Sequence, residues 1–280
     1  MPALSVAATL AKQAGLDTAG RHWLIADPVN LRVDRDRALL GDIGIMNLAQ
    51  AEADQLVASL NQLFVEDGFV FYAPTPGRWF LSLPAASQAH FTPLPDVIGE
   101  DINHHLPVGP QGMLWSRYLN EMQMLLYTHA ANDARELRGD TPVNSLWLWG
   151  EQGADSALPT SPRQPLYSDS VLYQALGTVA GCEVEAVPYR FGDLPAQDSL
   201  VVLDTMEAAA QFRDAWGWRE ALQRLEQDWF TPILAAMKAG KLQSLTLSCD
   251  GEAGFTLHLQ RRHLWKFWQA GKPLSSLYPQ

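Results

Sequence analysis

Residues 112–150 read GMLWSRYLNEMQMLLYTHAANDARELRGDTPVNSLWLWG. Met113, Leu114, Tyr118, Met122, Leu125 and Leu126 recur at helical spacing, with Arg117, Asn120, Glu121 and Gln123 between them, so the pattern predicts a helix over 112–130. A second short helix is expected over 132–137. VNSLWLW, residues 143–149, is a continuous apolar run stopped by Gly150 and reads as a buried strand. Helix, turn and buried strand in this order build an α/β sheet with helices on its faces.

Downstream the alternation continues. Residues 151–163 are small and turn-forming. The sequence then predicts a helix over 168–180, strands over 182–187 and 199–203, and one long helix or two over 216–238. Two closing strands, 242–249 and 254–259, flank the hairpin signal Asp250-Gly251-Glu252. Upstream, residues 1–16 suit a short helix, and HWLIADPV (22–29) a buried strand that delivers Asp27 to its C-terminal end. Residues 30–42 are charged and loop-like. Asn47 is placed to cap a helix over 48–64, and Phe69–Tyr72 and Arg78–Leu83 form a hairpin about Pro74-Thr75-Pro76-Gly77. Residues 84–111 carry five prolines and read as a long crossing loop and a candidate boundary. The expected organisation is an α/β body, residues 1–37 with 106–280, interrupted by an inserted α+β domain, residues 38–105.

Composition narrows the function classes. The chain has 280 residues, 47% of them hydrophobic, which excludes intrinsic disorder. Its formal net charge of −11 argues against nucleic acid and anionic membranes, which reward clustered Lys and Arg. No apolar run approaches the ~20 residues of a membrane span, and residues 1–16 lack the order of a signal peptide. Two cysteines, Cys182 and Cys249, far apart and without metal-ligand spacing, fit a reducing cytoplasm. The ten tryptophans suit either core packing or the walls of a binding groove.

Known catalytic signatures do not occur. The sequence holds no GxSxG elbow, phosphate loop or dinucleotide fingerprint. His104 and His105 are adjacent and diverge on any regular backbone, and the other histidines stand alone, so neither a metal nor another cofactor is expected. What remains is a polar set: Asn120, Gln123, Asn132, Arg135 and Asn144, ending at Trp149, with Arg32 as a further candidate beyond Asp27. Amides and an arginine fork suit a phosphorylated or other anionic small molecule. The same residues also suit a capping and packing network that anchors the strand, and Arg32 a solvated loop.

The run His129-x-x-Asn132-x-x-Arg135-x-x-x-Gly139-x-x-Pro142-x-Asn144-x-x-Trp147-x-Trp149-Gly150 resembles the motif of archaeal-type cofactor-independent phosphoglycerate mutases, of the alkaline phosphatase superfamily. Residues 26–32 look like the family strand preceding its inserted domain, and 38–105 match that insert in position. The resemblance implies a partial alkaline phosphatase-like sheet with flanking helices. It also implies a missing module: few residues precede the first strand, where the family carries a metal-binding aspartate and a nucleophile, and Gly251 follows Asp250 where the family has histidine. His22-Trp23, Asp27-Pro28, Gly77-Arg78-Trp79, Leu119-Asn120-Glu121-x-Gln123-Met124, residues 144–150 and Leu264-Trp265-Lys266-Phe267-Trp268 resemble a bacterial family that includes regulators of pathogenicity-factor production. The expected function is a non-catalytic, regulatory binder of a phosphorylated metabolite. The alternatives are an active phosphoglycerate mutase or phosphatase with an unorthodox site, and a protein-interaction module presenting Trp265–Trp268 to a protein partner.

Overall fold

The computed structural model describes residues 5–34, 37–40, 46–98, 100–151, 164–211, 214–249 and 254–265. The chain divides into two compact units, residues 1–187 with 198–215, and residues 188–197 with 216–280. The fold is mixed α/β, with sheets and flanking helices, as the alternation predicts.

The first unit opens with α1 (Val6–Gln13), capped by the Ser5 hydroxyl, which accepts from the Ala8 N–H. Then follow β1 (His22–Val29), β2 (Leu31–Asp34) and β3 (Arg37–Leu40). Helix α2 (Gln50–Leu63) leads into β4 (Val70–Thr75) and β5 (Arg78–Leu83), and α3 (Gly112–Tyr127) and α4 (Ala130–Arg138) precede β6 (Ser145–Trp149). The main sheet has the order β4-β5-β1-β6, with every neighbouring pair antiparallel. The expected insert, residues 38–105, thus contributes β4 and β5 to the sheet that β1 and β6 complete.

β1 is buried at every residue after His22, because both faces of the sheet are covered. Leu24 and Ala26 pack with Leu56 and Leu60 of α2 and Trp115 and Met122 of α3. Trp23, Ile25 and Val29 face the other way, onto Ala7 and Leu10 of α1, Phe80, Trp147 and Trp149. Leu94, Val97 and Ile102 from the proline-rich crossing complete that second layer, and the Thr92 carbonyl accepts the Trp147 indole N–H at 2.9 Å.

A smaller parallel sheet, β8-β7-β9, is built from β7 (Leu166–Tyr167), β8 (Val184–Glu185) and β9 (Leu200–Val201), with α5 (Val171–Ala180) between the first two and α6 (Glu207–Gln211) after the last. The second unit holds most of α7 (Ala215–Leu225), a π-helical turn over Glu226–Phe230, α8 (Thr231–Lys238) and the hairpin of β10 (Ser244–Cys249) and β11 (Phe255–Gln260). Within this unit Phe191 meets Trp229 edge-on, with ring centroids 6.5 Å apart. β10 and β11 pair Leu245 with Leu259, Leu247 with Leu257 and Cys249 with Phe255, so one face of the hairpin is apolar and the other polar.

Several expectations change. Within the charged stretch over 30–42, β2 and β3 pair antiparallel from Leu31↔Leu40 to Asp34↔Arg37, strands of four residues that are too short to show a clear periodicity. α2 starts two residues later than expected: Asn47 has φ 45°, outside the extended conformation of an N-cap, and Ala49 takes that place with its N–H donating to Glu52 Oε2 at 3.0 Å. Strand β7 is an addition to the expected elements, since two residues carry no periodicity. The loop expected over 151–163 is described only at Glu151, and the Asp250–Glu252 turn and residues 266–268 lie outside the described residues.

Candidate functional site

Asp27 is an acid inside an apolar strand. Its side chain is 2% exposed, and Oδ2 accepts the Trp149 indole N–H at 2.8 Å. Oδ1 lies 3.1 Å from Arg78 Nε, but off the line of a hydrogen bond, so that contact is ionic and Oδ1 has no hydrogen-bond partner among the described residues. Burial pushes the Asp27 pKa up to about 6; Arg78 and the Trp149 bond pull it down without cancelling the desolvation.

The sheet explains this meeting. β1 pairs with β5 from His22↔Leu83 to Ile25↔Phe80, and the same register carried two residues further sets Asp27 opposite Arg78. The β1–β5 backbone pairing ends at Ile25↔Phe80, because β5 is turning into its hairpin, where Thr75 pairs with Arg78 and the ladder shifts after Tyr72. On the other side Asp27 pairs with Trp147, which makes Trp149 its diagonal neighbour. Pro28 falls in the stretch where β1 pairs with β6 alone, the kind of position a strand proline tolerates.

Arg78 connects this buried acid to solvent. Its side chain is 42% exposed, and its guanidinium carbon stands 5.8 Å from the Trp149 ring centroid. With Nε turned to Asp27, the two Nη groups take no partner among the described residues. A guanidinium fixed at one edge and open at the other can receive a tetrahedral oxyanion or a carboxylate.

The residues expected to bind a ligand are placed as follows. Arg135 is wholly buried: Nε and Nη2 donate to Thr141 O at 3.0 and 2.9 Å, Nη2 also donates to Met46 O, and Nη1 pairs with Glu52 Oε2 at 2.5 Å. Asn132 donates to Leu126 O and Val143 O and accepts from Val143 N–H, at 2.6, 2.8 and 2.9 Å. Asn144 pairs with both backbone groups of Leu31, at 2.7 and 2.9 Å. Gln123 donates to Ser145 Oγ at 3.2 Å, Asn120 is exposed on α3, and Arg32 is exposed with Nε 3.3 Å from Asn30 Oδ1. Trp149 belongs to the Asp27 group, in the core layer opposite that of α3 and α4.

The end of β6 is covered. β6 runs antiparallel to β1, and Gly150 O accepts the Ala7 N–H at 3.0 Å, so α1 covers it. Gly150 has φ 79°, and a Cβ there would stand 3.1 Å from Ile25 Cδ1.

Two other pairs resemble catalytic dyads and are not. Ser59 Oγ lies 2.9 Å from His129 Nε2, but His129 Nδ1 accepts the Ala131 N–H as the cap of α4. The ring proton therefore sits on Nε2 and the histidine donates to Ser59 rather than activating it. Glu151 accepts both the N–H and the hydroxyl of Ser87, fastening the start of the proline-rich crossing.

Arg78 and the pairing of Asp27 with Trp149 escaped the sequence reading. The available signals were one acid in the run WLIADPV and an arginine directly after the Pro76-Gly77 turn.

No family model matches the chain. It is 30% identical over 186 residues to a probable 2,3-bisphosphoglycerate-independent phosphoglycerate mutase of Geobacter sulfurreducens, covering 64% of this chain and 46% of that one. With a 2,3-bisphosphoglycerate-independent phosphoglycerate mutase of Methanosarcina mazei it shares 28% identity over 136 residues, 46% of this chain and 34% of the relative. The matches thus span less than half the length of these relatives. Among solved structures, the cofactor-independent phosphoglycerate mutase of Thermoplasma acidophilum aligns with TM-score 0.44 and 14% identity, over 79% of this chain and 64% of that one. Over part of its length the chain is phosphoglycerate mutase-like.

Proposed function

We propose that this protein binds a phosphorylated or otherwise anionic small molecule at Arg78 and acts in the cytoplasm as a regulatory, non-catalytic relative of the mutases. The observation that supports binding is the geometry of Arg78: one edge held by a buried carboxylate, its face against Trp149, and both Nη groups open among the described residues. Fixing the guanidinium in advance lowers the ordering cost of taking an oxyanion.

The likeness to mutases favours a second reading, a metal-dependent phosphotransferase or phosphatase. One experiment separates the two. Purified protein is assayed on an aryl phosphate with added divalent cations, and its melting temperature is followed with phosphoglycerate. The binding reading expects a rise in melting temperature without turnover, of a size set by roughly 2.7 kcal/mol at a ligand concentration 100 times Kd. Turnover abolished by chelation selects the second reading.

A further inference from the structure

We propose that anion binding at Arg78 is coupled to a proton on Asp27: the buried carboxylate competes with an incoming anion for the same guanidinium, and protonation removes that competition. The inference rests on the reading of Arg78 as an anion site.

The geometry carries the coupling. Asp27 Oδ1 stands 3.1 Å from Arg78 Nε, so an oxyanion on the Nη edge shares the guanidinium with a second negative charge. Among the described residues no second cation contacts the carboxylate, which is buried and accepts only the neutral Trp149 N–H, so the repulsion is poorly screened. Arg78 is the charged group on β5 that acts on it. β6 presents Trp147 and Trp149, which are neutral. Lys12 on α1, Asp96 on the 3₁₀ turn that starts at Leu94, and Arg32 on β2 are exposed to solvent. The raised pKa, about 6, puts the proton exchange within reach of cellular pH.

The sign follows from linkage. An anion beside Arg78 disfavours the ionised Asp27, so binding raises the carboxyl pKa and takes up a proton; affinity therefore falls as pH rises through the free-protein value. No covalent step is involved.

Sulfate is the probe, since it stays a dianion across the range. Calorimetric titration of the full chain is expected to show affinity falling about tenfold between about pH 5 and about pH 8. Asp27→Asn is expected to hold the acid-side affinity at both values. Equal pH dependence in the wild type and Asp27→Asn, or none in the wild type, overturns the coupling. Absence of sulfate binding at both values, or binding that survives Arg78→Gln, overturns the anion-site reading and the coupling with it. Should Asp27→Asn not fold, carboxyl ¹³C resonances of the wild type give the same answer: sulfate is expected to move the Asp27 midpoint upward, and an unmoved midpoint overturns the proposal.

Discussion

Arg78 and Asp27 face each other across the gap where β5 leaves β1, with Nε 3.1 Å from Oδ1 and the arginine reaching solvent while the aspartate does not. The pair is unequal by construction. Ionised Asp27 is costly to bury, and the half-exposed guanidinium offsets only part of that cost.

Asp27→Asn is expected to stabilise the fold at about pH 8. The folded pKa, about 6, lies above the ordinary carboxylate value, so the folded state holds the proton more tightly and stability falls as pH rises from about 4 to about 6. Above that window the full cost is present, on the order of 1–3 kcal/mol. Denaturant melts of both proteins at several pH values check this: the gain should be largest at high pH and vanish near pH 4.

Trp149→Phe removes the only hydrogen bond that the Asp27 carboxylate accepts among the described residues. That bond lowers the carboxyl pKa, so its loss should move the Asp27 midpoint above about 6. Carboxyl ¹³C titration reads the shift.

Arg135 and Arg78 should separate cleanly. Arg135→Met leaves Glu52 short of one partner and the Thr141 and Met46 carbonyls unsatisfied, and should cost about 3–5 kcal/mol of unfolding free energy. Arg78→Gln removes the half-exposed counter-ion of buried Asp27, so it should cost less than Arg135→Met, about 1–2 kcal/mol at neutral pH, and little at about pH 4 where Asp27 is protonated. Chemical denaturation distinguishes them.

Glu52 ties the same network together. Burial disfavours its carboxylate, but hydrogen bonds from Arg138, Ala49 and Arg135 outweigh this and lower its pKa. Its contribution to stability is present above the ordinary glutamate range and is lost as pH falls through the lowered value. Glu52→Gln should therefore weaken the fold at neutral pH and matter less in acid, by thermal melts.

The sequence is most legible where pattern and packing coincide. β1 matches its expected range, His22–Val29, because a strand covered on both faces must be apolar almost throughout. α4 covers the expected 132–137 and extends it to Ala130 and Arg138, with His129 and Gly139 capping its ends. The candidate ligand residues are harder. Asn132, Arg135 and Asn144 are polar for a reason that spacing does not reveal: their partners are backbone groups at Leu126, Val143, Thr141 and Leu31, with the Glu52 carboxylate for Arg135, brought close only by the fold. Asp27 and Arg78 are distant in sequence, and their contact depends on the register of β1 with β5.

Calorimetric titration of phosphoglycerate into the wild type and Arg78→Gln tests the central claim most directly. Saturable binding in the wild type, lost or weakened at least about tenfold in a folded Arg78→Gln, is the predicted result, equivalent to about 1.4 kcal/mol. Equal binding by both proteins, or none by the wild type, would contradict it.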